Sequence, residues 1–212
     1  MRSNNINKAV QILKQGGVVV YPTDTAYGLA VDAADLAAVK RLYRLKGRDY
    51  NKPIHVIPPT KGWIEKLVKL RPEAKKLIES LMPGPLTLVL PLRAQGRSWD
   101  MLSAGTRTLG IRRPKNKLAL DLSGCLGKPI TTTSANVSGK PNCYSVAEVK
   151  KQFTGSKLKP DFYLDGGELK RTKPSTVVIL SGRHVKILRE GPITEKQIDK
   201  VLRKKNSLSS RT

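Results

Sequence analysis

Hydroxyls, cations and an amide recur beside runs of β-forming residues. Thr23 and Thr25 follow Val18-Val19-Val20-Tyr21, and Lys46-Gly47-Arg48, with Lys52 close behind, follows a helical stretch. Thr108 and Arg112 bracket one strand-like run, and Thr131-Thr132-Thr133-Ser134-Ala135-Asn136 leaves another. Ser175-Thr176 opens a further strand and Arg189 ends the last. Ligands of open α/β sheets gather in crevices at strand ends. Arg grips phosphate or carboxylate with two parallel hydrogen bonds, Lys supplies a point charge, and hydroxyls orient small polar groups. A site of this kind suits an anionic nucleotide beside an amino acid and does not suit covalent catalysis. Each element alone has a plainer explanation: cations favour a helix C-terminus, threonine favours strands, and Ser or Asn favours turns.

Familiar catalytic patterns are missing. There is no Gly-rich loop ending in Lys-Ser/Thr, and no G-x-G-x-x-G after the first strand. His55 and His184 sit in no recognisable nucleophile or metal context, and Asp49, Asp161 and Asp165 show no paired-carboxylate spacing. Cys125 and Cys143 are too few and too far apart for a zinc signature. A triad hydrolase, a zinc enzyme and a dinucleotide-dependent dehydrogenase are therefore disfavoured.

The elements that must position these residues alternate along the chain. Ile6, Ala9, Val10, Ile12 and Leu13 have helical spacing, ended by Gly16-Gly17. Strands are expected at 18–21, 54–57, 86–92, 109–112, 130–133 and 162–164, with a hairpin of 177–180 and 185–188 across Ser181-Gly182-Arg183. Helices are expected at 35–46, 72–81, 117–126, from Ser145 through Phe153, and at 195–203 behind the Thr194/Gln197 capping box. Alternation predicts an α/β (α+β) fold, a sheet covered by helices, and the late strand pair makes it mixed parallel and antiparallel. Residues 1–203 are expected to form one domain, followed by a polar tail, 204–212.

Bulk composition narrows the partners. Forty Lys+Arg face 16 Asp+Glu, a formal +24, which attracts polyanions. Aromatic residues are only 5%, too few for a base-stacking single-strand binder. No apolar run approaches the roughly 20 residues of a membrane span, and Met1 to Lys8 lacks a signal-peptide core, so a cytoplasmic setting without membrane contact is the expectation.

Taken in order, the segments resemble one family. Pro22-Thr23-Asp24-Thr25-Ala26-Tyr27-Gly28-Leu29, Lys46-Gly47-Arg48, Pro83-Gly84-Pro85-Leu86-Thr87, Leu109-Gly110-Ile111-Arg112 and Ser134-Ala135-Asn136-x-Ser138-Gly139 are similar to the YrdC-type threonylcarbamoyl-AMP synthases. Pro174-Ser175-Thr176-Val177-Val178 and Leu188-Arg189-Glu190-Gly191 extend the match, which spans roughly 6–193. The resemblance implies a twisted mixed sheet with a basic concave groove in a short, single-domain form lacking the extra C-terminal domain of longer relatives. It implies that L-threonine, bicarbonate and ATP with Mg2+ give threonylcarbamoyl-AMP and pyrophosphate. Threonylcarbamoyl would then pass to ANN-decoding tRNA through separate transferase proteins.

Residue by residue, it implies threonine contacts at Thr25, Arg112, Thr132 and Ser175. Nucleotide contacts fall at Arg48, Lys52, Thr108, Ser134, Asn142 and Arg189, and Lys46 and Asn136 complete the wall around the phosphates. Lys46, Arg48, Ser134 and Asn136 are the residues it makes catalytic. Three positions depart from the common pattern: Asp24 where Glu is frequent, Asp49 where Pro follows the Lys-x-Arg, and Ile57 where some members have a threonine-contacting His. The competing readings are a non-catalytic protein of the same fold that binds double-stranded RNA or tRNA through phosphates, and a YciO-like paralogue, which would lack the Ser-Ala-Asn element kept here.

Overall fold

The computed structural model describes residues 2–181 and 184–203. Gly182 and Arg183 of the expected hairpin turn, and the 204–212 tail, lie outside the described residues. The strands are β1 (Val19–Pro22), β2 (Tyr27–Ala30), β3 (His55–Ile57), β4 (Leu86–Pro91), β5 (Thr108–Arg112), β6 (Ile130–Ser134), β7 (Phe162–Tyr163), β8 (Thr176–Ser181) and β9 (His184–Arg189). Among the described residues they form one sheet in the order β7-β1-β2-β6-β3-β5-β4-β8-β9. The β1/β7, β3/β5 and β4/β8 pairs are parallel and the rest antiparallel, so the sheet is mixed as expected.

The helices are α1 (Arg2–Lys14), α2 (Leu36–Lys46), α3 (Ile64–Leu67), α4 (Pro72–Leu81), α5 (Arg97–Leu102), α6 (Lys117–Leu126), α7 (Val146–Phe153) and α8 (Glu195–Arg203). Several of their starts follow capping chemistry. The Asp35 carboxylate accepts from the amides of Ala37 and Ala38, the Asn116 side chain from Ala119, and Ser145 from Glu148. Pro72 opens α4 at a position where its missing N–H costs nothing.

Side chains alternate across a strand, so each strand serves two faces. On one face Val18, Val20, Tyr27, Leu29, Val56, Leu88, Ile111 and Val178 join the main core with residues of α2, α4, α5 and α7. On the other, Val19, Tyr21, Ala30, Ile57 and Ile130 pack under α1 and α6, against Ile6, Val10, Leu13, Leu122 and Leu126. Those two helices cover only part of that second face. Gly28, Thr132, Ser134, His55, Gly110, Arg112 and Thr87 continue it beyond them, and there the fold leaves the sheet bare.

β2, α3 and α5 were not expected from the sequence. Tyr27-Gly28-Leu29-Ala30 forms a hairpin with β1 across Thr23–Ala26, and Gly28 obscures the pattern because it brings no side chain. The 97–102 helix begins at Gly96 without a side-chain cap, which leaves no start signal to read.

The junction of β9 with the loop entering β8 is tight. A methyl group on Gly191 would fall 2.3 Å from the Pro174 carbonyl oxygen and 2.4 Å from the Thr176 nitrogen, both backbone atoms. Gly191→Ala should therefore move the Pro174–Thr176 backbone and lower the unfolding free energy by about 1–3 kcal/mol. Urea denaturation measures this; an unchanged midpoint would show that the junction has slack.

Candidate active site

The bare part of the second face is the floor of a cavity with about 730 Å³ of open space, part of it bulk solvent. Thr25, Arg48, Arg112, Thr132, Ser134, Asn142, Ser175 and Arg189, scattered over 165 positions of sequence, all line it. Among the described residues no Asp or Glu does.

At one end, the Thr23 hydroxyl donates to the Ala26 carbonyl at 2.6 Å and accepts from the Thr25 amide at 3.1 Å. This turn fixes Thr25 beside Arg112, whose Nη2 donates to Thr25 Oγ1 at 2.8 Å and to the Asp24 carboxylate. Asp24 is itself held by the Lys115 amide. Arg112 is 9% exposed, and its Nε is buried with no hydrogen-bond partner. A buried guanidinium N–H without an acceptor is costly. Across the floor, Thr87 Oγ1 lies 3.0 Å from Ser175 Oγ, and Arg189 donates to both the hydroxyl and the carbonyl of Ser175.

At the other end, Arg48 folds back and donates to the Lys52 and Pro53 carbonyls, at 3.2 and 2.9 Å. Burial pulls the pKa of Arg48 and of Arg189 downward, and for Arg189 the Arg112 charge adds to the effect. Three guanidiniums thus share one cavity with a single carboxylate at its edge. An anionic ligand would relieve that imbalance.

Four residues expected at the site stand differently. Lys46 and Asn136, expected to face phosphates, lie behind the wall. Lys46 is 1% exposed, and its ammonium donates to the Ser134 carbonyl at 2.6 Å, the Asn136 carbonyl at 2.7 Å and Asn136 Oδ1 at 3.0 Å. Asn136 Nδ2 donates to the Lys140 carbonyl, and Ser134 Oγ donates to Asn136 Oδ1 at 2.5 Å. With all three protons committed to the chain, Lys46 acts as a positioning residue that pins the Ser-Ala-Asn loop. Lys52 is exposed and outside the cavity lining, contributing a backbone carbonyl to Arg48. Thr108 shares a face of β5 with Arg112 but lies beyond the lining, its hydroxyl 2.8 Å from that of Thr106. Ile57, one of the departures, is fully buried in the smaller core.

Two site residues escaped the sequence reading. Thr87 carried a signal, as a lone hydroxyl between Leu86 and Leu88 on an otherwise apolar strand. His55 lines the cavity, and no motif marks it.

Fold and cavity together define an α+β domain in which three guanidiniums meet hydroxyl-bearing strands in one cavity. The chain belongs to the Sua5/YciO/YrdC family, described as telomere recombination, which it matches over residues 11–191. It is 36% identical over 198 residues to the threonylcarbamoyl-AMP synthase of Pyrococcus abyssi, covering 93% of this chain and 57% of that protein. It is 37% identical over 202 residues to a Mycobacterium tuberculosis protein provisionally named for the same activity, covering 95% and 90%. The structure of P. abyssi Sua5 complexed with L-threonine superposes with a TM-score of 0.86 at 36% identity, covering 92% of this chain and 56% of that one. The chain thus spans little more than half of the P. abyssi relative. No helix among the described residues is long and apolar enough to cross a membrane.

Lys46 gives the site a test that needs no substrate. Burial first, then the Arg48 charge, bring its pKa down to about 7, against 10.5 for a free lysine. Below pH 7 the amine holds its proton in both folded and unfolded chains. Between about 7 and 10.5 the unfolded chain binds the extra proton, so the Lys46 contribution makes unfolding free energy rise with pH. Lys46→Met should remove that slope, and at pH 7 should cost at least about 2 kcal/mol by orphaning buried acceptors. Denaturant titrations at several pH values check both; an identical slope in the variant excludes Lys46 as its source.

Proposed function

We propose that the chain is a threonylcarbamoyl-AMP synthase, a nucleotidyltransferase acting on L-threonine, bicarbonate and ATP. The observation that carries the reading is the convergence of Arg48, Arg112 and Arg189 with the Thr25, Thr132, Ser134 and Ser175 hydroxyls in one carboxylate-free cavity. Similarity to synthases over more than nine-tenths of the chain supports it.

The threonine amine adds to the bicarbonate carbon, a C–N bond forming as a C–O bond breaks and water leaves; the carboxylate oxygen of the resulting carbamate attacks the α-phosphorus of ATP. The new P–O bond forms as the bond to the bridging oxygen breaks, and pyrophosphate leaves with that electron pair. Arg112 takes the threonine carboxylate, with Thr25, Thr132 and Ser175 around the rest of the amino acid. Arg48, Ser134, Asn142 and Arg189 hold the nucleotide; Lys52 and Thr108, which stand outside the lining, would meet it only where it extends beyond the cavity. Nothing here requires an activated nucleophile from the protein. Positioning two anions in line and offsetting charge at phosphorus supply the rate.

Magnesium enters with the nucleotide. The cavity offers hydroxyls and amides but no carboxylate, and among the described residues no cluster of His, Cys, Asp and Glu could hold a metal. Its ligands would be phosphate oxygens and water. The product would be passed to tRNA through threonylcarbamoyl transferase proteins in the cytoplasm, the excess positive charge favouring the RNA encounter.

Purified protein with ATP, bicarbonate and L-threonine should yield threonylcarbamoyl-AMP by mass spectrometry, and markedly less product with L-serine. The missing methyl is worth only about 1–3 kcal/mol. Arg48→Ala should lower the rate by about 100-fold or more while the far-ultraviolet spectrum stays unchanged. Binding of duplex RNA with no pyrophosphate release under any of these conditions would replace the enzyme reading with that of an RNA-binding protein.

A further inference from the structure

One titratable side chain in the cavity has no part in the fold's hydrogen bonding or in the reaction as set out above. His55 opens β3 and is the direct cross-strand partner of Thr132 on β6, so its ring stands on the open face at the centre of the floor. Its Nδ1 is buried and has no hydrogen-bond partner. The ring rests on Gly110 of β5, where a methyl group would fall 2.0 Å from Nδ1 and 2.6 Å from Cγ. Any residue other than glycine at 110 would evict the imidazole.

This packing decides the tautomer. A proton on Nδ1 would be a buried donor with no acceptor, a worse arrangement than a bare lone pair against Cα. The neutral ring therefore carries its proton on Nε2. The doubly protonated form is suppressed as well: burial first, then the charges of Arg189, Arg48 and Arg112, hold the pKa down to about 4. With Nδ1 sealed against β5, Nε2–H is the polar edge that remains for the cavity. It faces a space ringed by three guanidiniums, where an anion is the expected occupant.

We propose that His55 is a ligand-contacting residue of this site, its Nε2–H donating a hydrogen bond to an anionic oxygen bound in the cavity that Arg112, Arg48 and Arg189 line. Resting on the proposed function, that oxygen is the non-attacking oxygen of the carbamate. His55 adjoins Thr132 of the amino-acid end and lies within the fields of Arg48 and Arg189 of the nucleotide end, so it stands where the two substrates join. Holding one carbamate oxygen turns the other toward phosphorus. The imidazole keeps its proton throughout and acts as a fixed dipole, which costs no reorganisation during the reaction.

The test uses the full chain. In 15N-labelled wild-type protein, two-bond 1H–15N spectra should show His55 as the neutral Nε2-protonated tautomer from pH 6 to 8. Its Nε2 resonance should move on adding L-threonine, bicarbonate and α,β-methylene-ATP together. His55→Phe, which keeps the ring and removes the donor, should lower kcat/KM for bicarbonate and threonine by about 10- to 100-fold, the worth of one hydrogen bond to a charged group. Affinity for the ATP analogue should change less than about twofold, because the nucleotide's own contacts are untouched. His55→Gln, which returns an N–H near the same point, should recover most of the loss. An Nδ1-protonated ring, a static Nε2 resonance, or wild-type kinetics in His55→Phe would each overturn the assignment. A moving resonance in protein that releases no pyrophosphate would leave the contact standing and sink the adenylation reading instead.

Discussion

The two-residue period of the strands couples the site to the core. Three of the strands that deliver a polar group to the cavity deliver an apolar one to the main core at the next position: Thr87 beside Leu88, Arg112 beside Ile111, His55 beside Val56. A slip of one residue in these strands would turn a hydroxyl, a guanidinium or an imidazole into the core and a leucine, isoleucine or valine out of it. The register that hides Leu88, Ile111 and Val56 completely is thus the same register that gathers the cavity. Core packing and site geometry are one constraint, and α1 and α6 set its limit by covering only part of the second face.

Positive charge in the cavity and behind its wall is managed mostly by backbone dipoles. Lys46 gives its protons to two carbonyls and an amide oxygen, Arg48 to the Lys52 and Pro53 carbonyls, and Arg189 to Ser175. Carbonyls orient a cation without cancelling its charge, whereas a carboxylate would neutralise it and compete with an anionic ligand. The exception is Asp24, which touches Arg112 through Nη2 alone and is tied to the Lys115 amide. It fixes the guanidinium plane while leaving Nε unsatisfied.

The sequence made most of the scaffold legible, because its elements carry local signals: caps at Asp35, Asn116 and Ser145, punctuation at Pro72 and Pro83, and β-branched runs between. It also made legible which residue types would meet. It did not make legible which side of the wall each occupies. Lys46 and Arg48 sit two apart in one tripeptide, yet one pins a loop from behind and the other faces the cavity. That difference comes from the chain's reversal after α2 and from the long-range approach of Ser134 and Asn136, 88 and 90 residues away, which no local pattern encodes. His55 was passed over because a histidine without neighbouring ligands looks inert in sequence, and its importance depends on Gly110 across a strand pair.

Glycine 110 completes the argument about how such a site is specified. Nothing about it is chemical, and it lies in the middle of a strand, where glycine costs packing and backbone entropy. That cost becomes intelligible when the residue above it is considered. A side chain at 110 would occupy the volume in which the imidazole lies, and the ring could then reach the cavity only by turning Nδ1 out of its seal. Absence of a side chain on β5 thereby sets the proton position on β3, the proton position sets the polarity of the cavity floor, and that floor stands among three cations brought in from separate stretches of the chain. The chemistry of the site is written as much in what the strands omit as in the charged groups they carry.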